Sequence, residues 1–180
     1  IVFRERIATE AEGGYAHVLA RMGSLYERMV GAAGGAPHTL GIGAPGSKSP
    51  TTGLMRNSNT VALNGRAYLT DLARVFGRDF EFANDANCFA LAEARLGAGR
   101  GARLVFGVIM GTGCGGGIVW NGDIHVGRLG IAGEFGHSVI DSTGFRCYCG
   151  AAGCIETFIS GSGLERAHHA HTGEATRAEA

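Results

Sequence analysis

Apolar residues recur along the chain in two distinguishable patterns. Tyr15, Val18, Leu19, Met22, Leu25, Tyr26, Met29 and Val30 stand three and four positions apart, and Gly31 closes the run. That is the spacing of a helix burying one face. Leu69, Leu72, Ala73 and Phe76 repeat it until Gly77. Residues 39–44 form a short apolar run broken by Pro45-Gly46, which predicts a buried strand ending in a tight turn. Phe80 and Phe82 alternate with polar neighbours, and Asn84-Asp85-Ala86-Asn87 then leads into a helical stretch ending near Gly97. The predicted order is helix, strand, helix, strand, helix.

Residues 97–103 read as a flexible link. Beyond it, residues 104–110 and 117–120 predict two strands joined by Gly111-Thr112-Gly113-Cys114-Gly115-Gly116, and residues 161–171 begin another helix. Strands interleaved with helices argue for an α/β architecture, with ligands at strand ends where helices begin. A first lobe over residues 1–103 and a second over 104–180 follow from the position of the link.

Composition narrows the function classes. With 180 residues and 45% hydrophobic positions the chain can bury a core. Net charge is zero and Lys48 is the only lysine, so no basic stripe is available to nucleic acid or to an anionic membrane surface. The longest apolar run, residues 104–110, is broken by Gly107 and falls far short of the roughly 18 residues of a membrane span. The 32 glycines cluster without forming a repeat, which points to loops where backbone approaches a ligand. Of five cysteines, Cys147, Cys149 and Cys154 are bunched, a pattern that suits a metal site in a reducing cytoplasm better than a disulfide framework.

Four groups of residues carry chemistry. His137-x9-Cys147-x-Cys149-x4-Cys154 supplies one imidazole and three thiolates, a closed tetrahedral zinc set with no position left for water. Idle cysteines near an unrelated histidine are the alternative. Asp85 stands where a strand hands over to a helix, so its carboxylate stays ionised and could take a proton from a substrate hydroxyl. An ordinary helix cap explains the same residue. Gly111, Thr112 and Gly113 could hold phosphate oxygens through backbone N–H groups and a hydroxyl, although no Gly-Lys-Ser/Thr follows and a glycine-rich hairpin has the same sequence. Glu134 and Glu156 flank the metal ligands in sequence, either to grip one polyol or as solvated surface charge.

Together these stretches resemble the ROK family of bacterial sugar kinases and related repressors. The resemblance rests on Gly41 to Gly46 with Asn57-Ser58-Asn59, Asn84 to Asn87, Gly111 to Gly117, Gly133 to His137, and Cys147-Tyr148-Cys149-Gly150 through Cys154-Ile155-Glu156, all in family order. The wording of residues 45–65 and 147–163 looks most like fructokinases with mannokinase activity, with N-acetylglucosamine kinases close behind. The resemblance implies an actin-like, ribonuclease H-like two-lobed fold, with sugar and ATP meeting between the lobes and a zinc knuckle bracing the sugar end. It implies Asp85 as the base acting on the sugar 6-hydroxyl. Asn59, Asn84, Glu134, His137 and Glu156 would bond the other hydroxyls, and Gly46 and Ser47 would line the same pocket. Gly111, Thr112 and Gly113 would contact ATP phosphates, with magnesium travelling on the nucleotide. One ring nitrogen of a metal-bound His137 is occupied while the other donates to sugar, which leaves Asp85 as the base. The resemblance thus implies a cytoplasmic, homodimeric fructose kinase, with another hexose kinase, such as one for N-acetylglucosamine, or a sugar-sensing repressor as alternatives.

The family's opening Asp-x-Gly-Gly-Thr phosphate loop and its later glycine-rich nucleotide segment have no counterpart here. Weak or no turnover is therefore expected of this stretch alone. The family's repressors carry a helix-turn-helix ahead of the same fold, and retention of Asp85 favours the enzyme over them.

Overall fold

The computed structural model describes residues 1–178, so the last two positions of the expected second lobe lie outside the described residues. The chain forms two compact units, Ile1–Asn84 and Asp85 onwards. In the first unit the amphipathic run folds as helix α1 (Gly14–Ala32). Strand β1 (Gly41–Ala44) follows, then β2 (Ser47–Lys48), β3 (Met55–Arg56), helix α2 (Tyr68–Phe76) and strand β4 (Glu81–Asn84). Gly77 ends α2 in the left-handed conformation, with φ 64°, as its position after the last apolar residue predicts. Strands β1 and β4 pair in parallel, Gly41 opposite Glu81 and Ala44 opposite Asn84, while β2 and β3 form a short antiparallel ladder.

The core of this unit joins periodic positions, Val18, Leu72 and Phe76, to Met55, Leu63 and Tyr68, which the period did not mark. Val18, Met55, Leu63, Tyr68, Leu72 and Phe76 are buried together, with Tyr15, Leu19, Met22 and Tyr26 of α1 packed against them. A polar clasp closes one end: Arg78 Nη2 donates to His38 O at 2.6 Å, and the Tyr26 hydroxyl lies 3.0 Å from His38 Nε2.

The second unit opens with helix α3 (Asp85–Leu96), followed by strands β5 (Leu104–Met110), β6 (Cys114–Trp120) and β7 (Asp123–Ile124) in one antiparallel sheet. Short helix α4 (Glu156–Ile159) and helix α5 (Gly161–Thr172) complete it. Ser160 caps α5 by accepting from Gly163 N–H at 3.0 Å.

Three details depart from the sequence-based expectation. The division between units falls after Asn84 instead of at residue 103, because the small residues Ala86 and Ala90 of α3 are buried against the glycines of β5 and β6. The expected flexible link is a hydrogen-bonded cap: the N–H groups of Gly97 and Gly99 both donate to Glu93 O, and Ala98 N–H to Glu93 Oε2. The glycine run is mostly strand, since the turn is only Gly111 to Gly113 and β6 begins at Cys114. Gly117 shows what those glycines do. A Cβ there would stand 2.7 Å from Ala86 O and 2.8 Å from Asn87 Cα, so the strand's bare backbone seats the helix. Gly117→Ala should therefore push α3 off the sheet and cost about 1–3 kcal/mol, read as a lowered denaturation midpoint with an unchanged slope.

Candidate active site and metal centre

Within the first unit, the expected ligand-lining residues come together at the end of the β1–β4 pair. Gly46 follows β1 with φ 96°, and a Cβ on it would stand 2.7 Å from Arg56 O and 2.9 Å from Ser58 N. That contact seats residues 56–58, which precede exposed Asn59, beside the turn. Asn84 Nδ2, from the end of β4, donates to Gly46 O at 3.2 Å. Ser47 Oγ accepts from Arg56 Nε at 3.3 Å. Asn64, which sequence reading assigned no role, clamps the segment: its Oδ1 accepts from Ser58 N–H and its Nδ2 donates to Ser58 O, both at 2.9 Å.

Within the second unit, Asp85 is exposed at the first position of α3. Gly133, with φ 92°, carries the chain flat against β6, since a Cβ on it would stand 2.7 Å from Gly116 O. The same approach brings Glu134 Oε2 to 3.8 Å from the Cβ position of Gly115. Loss of solvent around this carboxylate, and secondarily the charge of Asp85, raise its pKa, while His137 pulls it the other way. Asp85, Glu134 and His137 are thus electrostatic neighbours. Both Asp85 and Glu134 are exposed, and Asp85 Oδ1 accepts from Ala86 N–H at 3.0 Å, so two carboxylates with oxygens open to solvent stand ready to accept hydroxyl hydrogen bonds or a proton from a polyol.

Of the two readings that the sequence leaves for Glu156, the structure removes one. It is 9% exposed, its N–H donates to Gly136 O at 2.8 Å, and its Oε2 accepts from Cys114 N–H at 3.1 Å. Surface charge is not a description of this residue. In the adjoining turn, Gly111 N–H donates to Gly113 O at 2.9 Å. The N–H groups of Thr112 and Gly113 have no hydrogen-bond partner among the described residues. They and the Thr112 hydroxyl are the turn's free donors.

His137, Cys147, Cys149 and Cys154 form a cluster that could hold a metal ion, with all four ligand atoms within 4.8 Å of one another. His137 Nδ1 lies 3.5 Å from Cys147 Sγ, and Cys149 Sγ lies 3.6 Å from Cys154 Sγ. Bonds of about 2.3 Å to sulfur and 2.0–2.1 Å to nitrogen place tetrahedral ligand atoms roughly 3.5–3.8 Å apart, so the donor set fits. A tight turn shapes it: Cys147 N–H donates to Ala151 O at 2.8 Å and Gly150 N–H to Cys147 O at 3.1 Å. Burial, then the adjacent sulfurs of Cys149 and Cys147, push the Cys154 thiol up to about 12, whereas the Ala151 backbone N–H pulls Cys149 down. A bound cation would favour all three thiolates. Tyr148, absent from the sequence-based site, lies beside the cluster. Its hydroxyl is 3.0 Å from His137 Nε2, the ring nitrogen expected to face sugar. A tyrosine between two ligand cysteines was the available signal.

The ROK family signature matches residues 1–179. The chain belongs to the ROK family. It is 38% identical over 153 residues to the N-acetyl-D-glucosamine kinase of Pasteurella multocida (strain Pm70), covering 79% of this chain and 50% of that protein. Among solved structures, the ROK hexokinase of Thermus thermophilus matches with a TM-score of 0.79 and 31% identity, covering 95% of this chain and 57% of that one. A ROK family transcriptional regulator, a homolog of the E. coli MLC protein, matches with a TM-score of 0.71 and 28% identity over 87% of this chain and 40% of that one. The chain spans about half the length of the curated relatives it matches. The ROK α/β fold expected from the motifs is the fold found. Among the described residues no helix is long and apolar enough to cross a membrane.

Stripping the metal with a chelator, or making Cys154→Ala, should abolish stoichiometric metal in elemental analysis and lower the melting temperature by several degrees.

Proposed function

We propose that the protein is an ATP-dependent hexose kinase that phosphorylates the 6-hydroxyl of its sugar, with an N-acetylhexosamine as the preferred substrate. The observation that carries this reading is Asp85, exposed at the head of α3 with Glu134 as its electrostatic neighbour, in a chain of the ROK family. In the proposed reaction Asp85 accepts the 6-hydroxyl proton as that oxygen attacks the γ-phosphorus. The new O–P bond forms as the bond to the β–γ bridging oxygen breaks, and ADP leaves. Phosphoryl transfer asks the protein mainly for alignment and charge screening. Thr112 and Gly113 supply free donors for phosphate oxygens, and magnesium on the nucleotide screens their charge. Gly46, Ser47, Asn59, Asn84, Glu134 and Glu156 are the proposed sugar contacts, and His137 joins them only where Tyr148 gives way. Zinc is the proposed occupant of the His137, Cys147, Cys149 and Cys154 set, where a closed sphere makes it structural.

The choice of sugar differs from the sequence-based one. Motif wording pointed to fructose, but the curated relative described above is an N-acetyl-D-glucosamine kinase and the structural one a hexokinase. ATP supply and reduced thiols both suit a cytoplasmic enzyme. A sugar-sensing repressor is the second reading, favoured by the match to the transcriptional regulator. Asp85 weighs against it, because a sensor has no use for a base.

In the complete protein, Asp85→Asn should lower kcat by about 10²–10⁴-fold while sugar affinity changes little. Unchanged turnover would remove Asp85 from the mechanism. A panel of N-acetylglucosamine, glucose, mannose and fructose should give the highest kcat/KM for N-acetylglucosamine, and a fructose maximum would restore the motif-based assignment. Tight operator binding released by sugar, without ADP formation, would establish the repressor.

A further inference from the structure

Two hydrogen bonds tie the turn between β5 and β6 to the segment that follows the last metal ligand. Cys114 N–H donates to Glu156 Oε2 at 3.1 Å, and Gly161 N–H, at the start of α5, donates to Gly111 O at 2.7 Å. The peptide unit joining Gly113 to Cys114 is therefore held on both sides. Its carbonyl accepts from Gly111 N–H at 2.9 Å, and its N–H is taken by the Glu156 carboxylate. Held this way, the turn leaves the N–H groups of Thr112 and Gly113 to an outside anion. A peptide following glycine turns over easily once unrestrained, because glycine tolerates both halves of conformational space. Turned over, it would set the Gly113 carbonyl oxygen against the Glu156 carboxylate and lose the bond from Gly111 N–H that shapes the turn, so the arrangement presenting the Thr112 and Gly113 N–H groups would go with it.

We propose that Glu156 is a positioning residue for nucleotide phosphates, acting through Cys114 N–H to fix the orientation of the Gly113–Cys114 peptide. This inference rests on the kinase reading and extends it, since there Glu156 is assigned only to sugar. The carboxylate is well suited to the task. It is buried, it starts α4, and its own N–H is anchored to Gly136 O at 2.8 Å, so its reach to the turn is fixed at the backbone. A Cβ on Gly113 would stand 3.1 Å from Oε2, so the carboxylate lies close against this glycine. Oε1 takes no hydrogen bond from a described residue, so one carboxylate can hold the turn with one oxygen and a sugar hydroxyl with the other. Its negative charge works against phosphate binding. The benefit must therefore come from the accepted hydrogen bond and not from the charge.

That distinction sets the test. Binding of a non-hydrolysable ATP analogue with magnesium is measured by calorimetry on the complete, metal-loaded protein without sugar, alongside amide hydrogen exchange at Cys114. Glu156→Gln keeps an acceptor of the right length without charge, Glu156→Asp keeps the charge but falls short, and Glu156→Ala removes both. The Asp and Ala variants should bind the analogue about tenfold more weakly, with faster exchange at Cys114, while the Gln variant stays within about twofold of the unsubstituted protein. Melting temperatures identify any variant that fails to fold, and the Asp variant carries the test if Ala does so. Undiminished binding by Asp and Ala overturns the inference, as does equal weakening of all three. No binding by the unsubstituted protein overturns the kinase reading itself, and the inference with it.

Discussion

Close backbone approach to strand β6 is the constraint on which the second unit depends. Its consecutive glycines, Gly115, Gly116 and Gly117, leave the strand without side chains at the points where other segments meet it. Gly117 admits the first turn of α3, which carries Asp85, and Gly116 admits Gly133, which carries Glu134. Gly136 lies against Cys114 by the same kind of contact and receives the N–H of Glu156. Three carboxylates far apart in sequence are thereby delivered to one strand. Side chains on β6 would hold those segments off by the thickness of a methyl group or more, and protein interiors do not absorb such shifts cheaply.

The electrostatic consequence is a site dense in acidic groups. Asp85 raises the pKa of Glu134, and Glu156 and Glu134 help raise that of Tyr148, although burial is the first cause in both cases. Carboxylates crowded in this way are costly beside phosphate, and natural beside a neutral polyol that donates hydrogen bonds. Glu156 is placed to spend one oxygen on a backbone N–H at the edge of the proposed phosphate turn, which partly neutralises its charge where repulsion would be greatest.

What could be read from sequence follows from what periodicity can encode. Helices α1 and α2 were legible because their apolar residues repeat with the period of the element that buries them, and strand β5 because it is a short unbroken apolar run apart from Gly107. Strand β6 was cut short because glycine carries no hydrophobic signal, so a run that bends to fit protein looked like a loop that fits ligand. Helix α3 was found but assigned to the wrong side of the division, since Ala86 and Ala90 are too small to announce which partner they pack against. The His137, Cys147, Cys149 and Cys154 set was legible because ligand chemistry restricts residue type and spacing together. The burial of Glu156 and the pairing of Tyr148 with His137 were not, because both depend on contacts that no local pattern records.

The metal cluster also answers a stability problem posed by residues 137–155. Val139, Ile140 and Tyr148 are exposed, and the buried apolar contribution of the segment is Cys147 and Cys154 themselves. Helix α4 is a single turn, too short to persist on its own. A segment with so little core cannot offset its ordering entropy by burial, and small modules in that position rely on metal ligation instead. Cys154 is two residues before Glu156, and Thr157 Oγ1 donates to Cys154 O at 2.7 Å, so fixing the cysteine fixes the start of α4. From there Glu156 reaches Cys114 N–H and α5 reaches Gly111 O. Rigidity introduced at four ligand atoms is thus passed through two hydrogen bonds to the turn that the kinase reading assigns to ATP. On the kinase reading, the cluster would then be tied to the proposed nucleotide site as well as to the proposed sugar site.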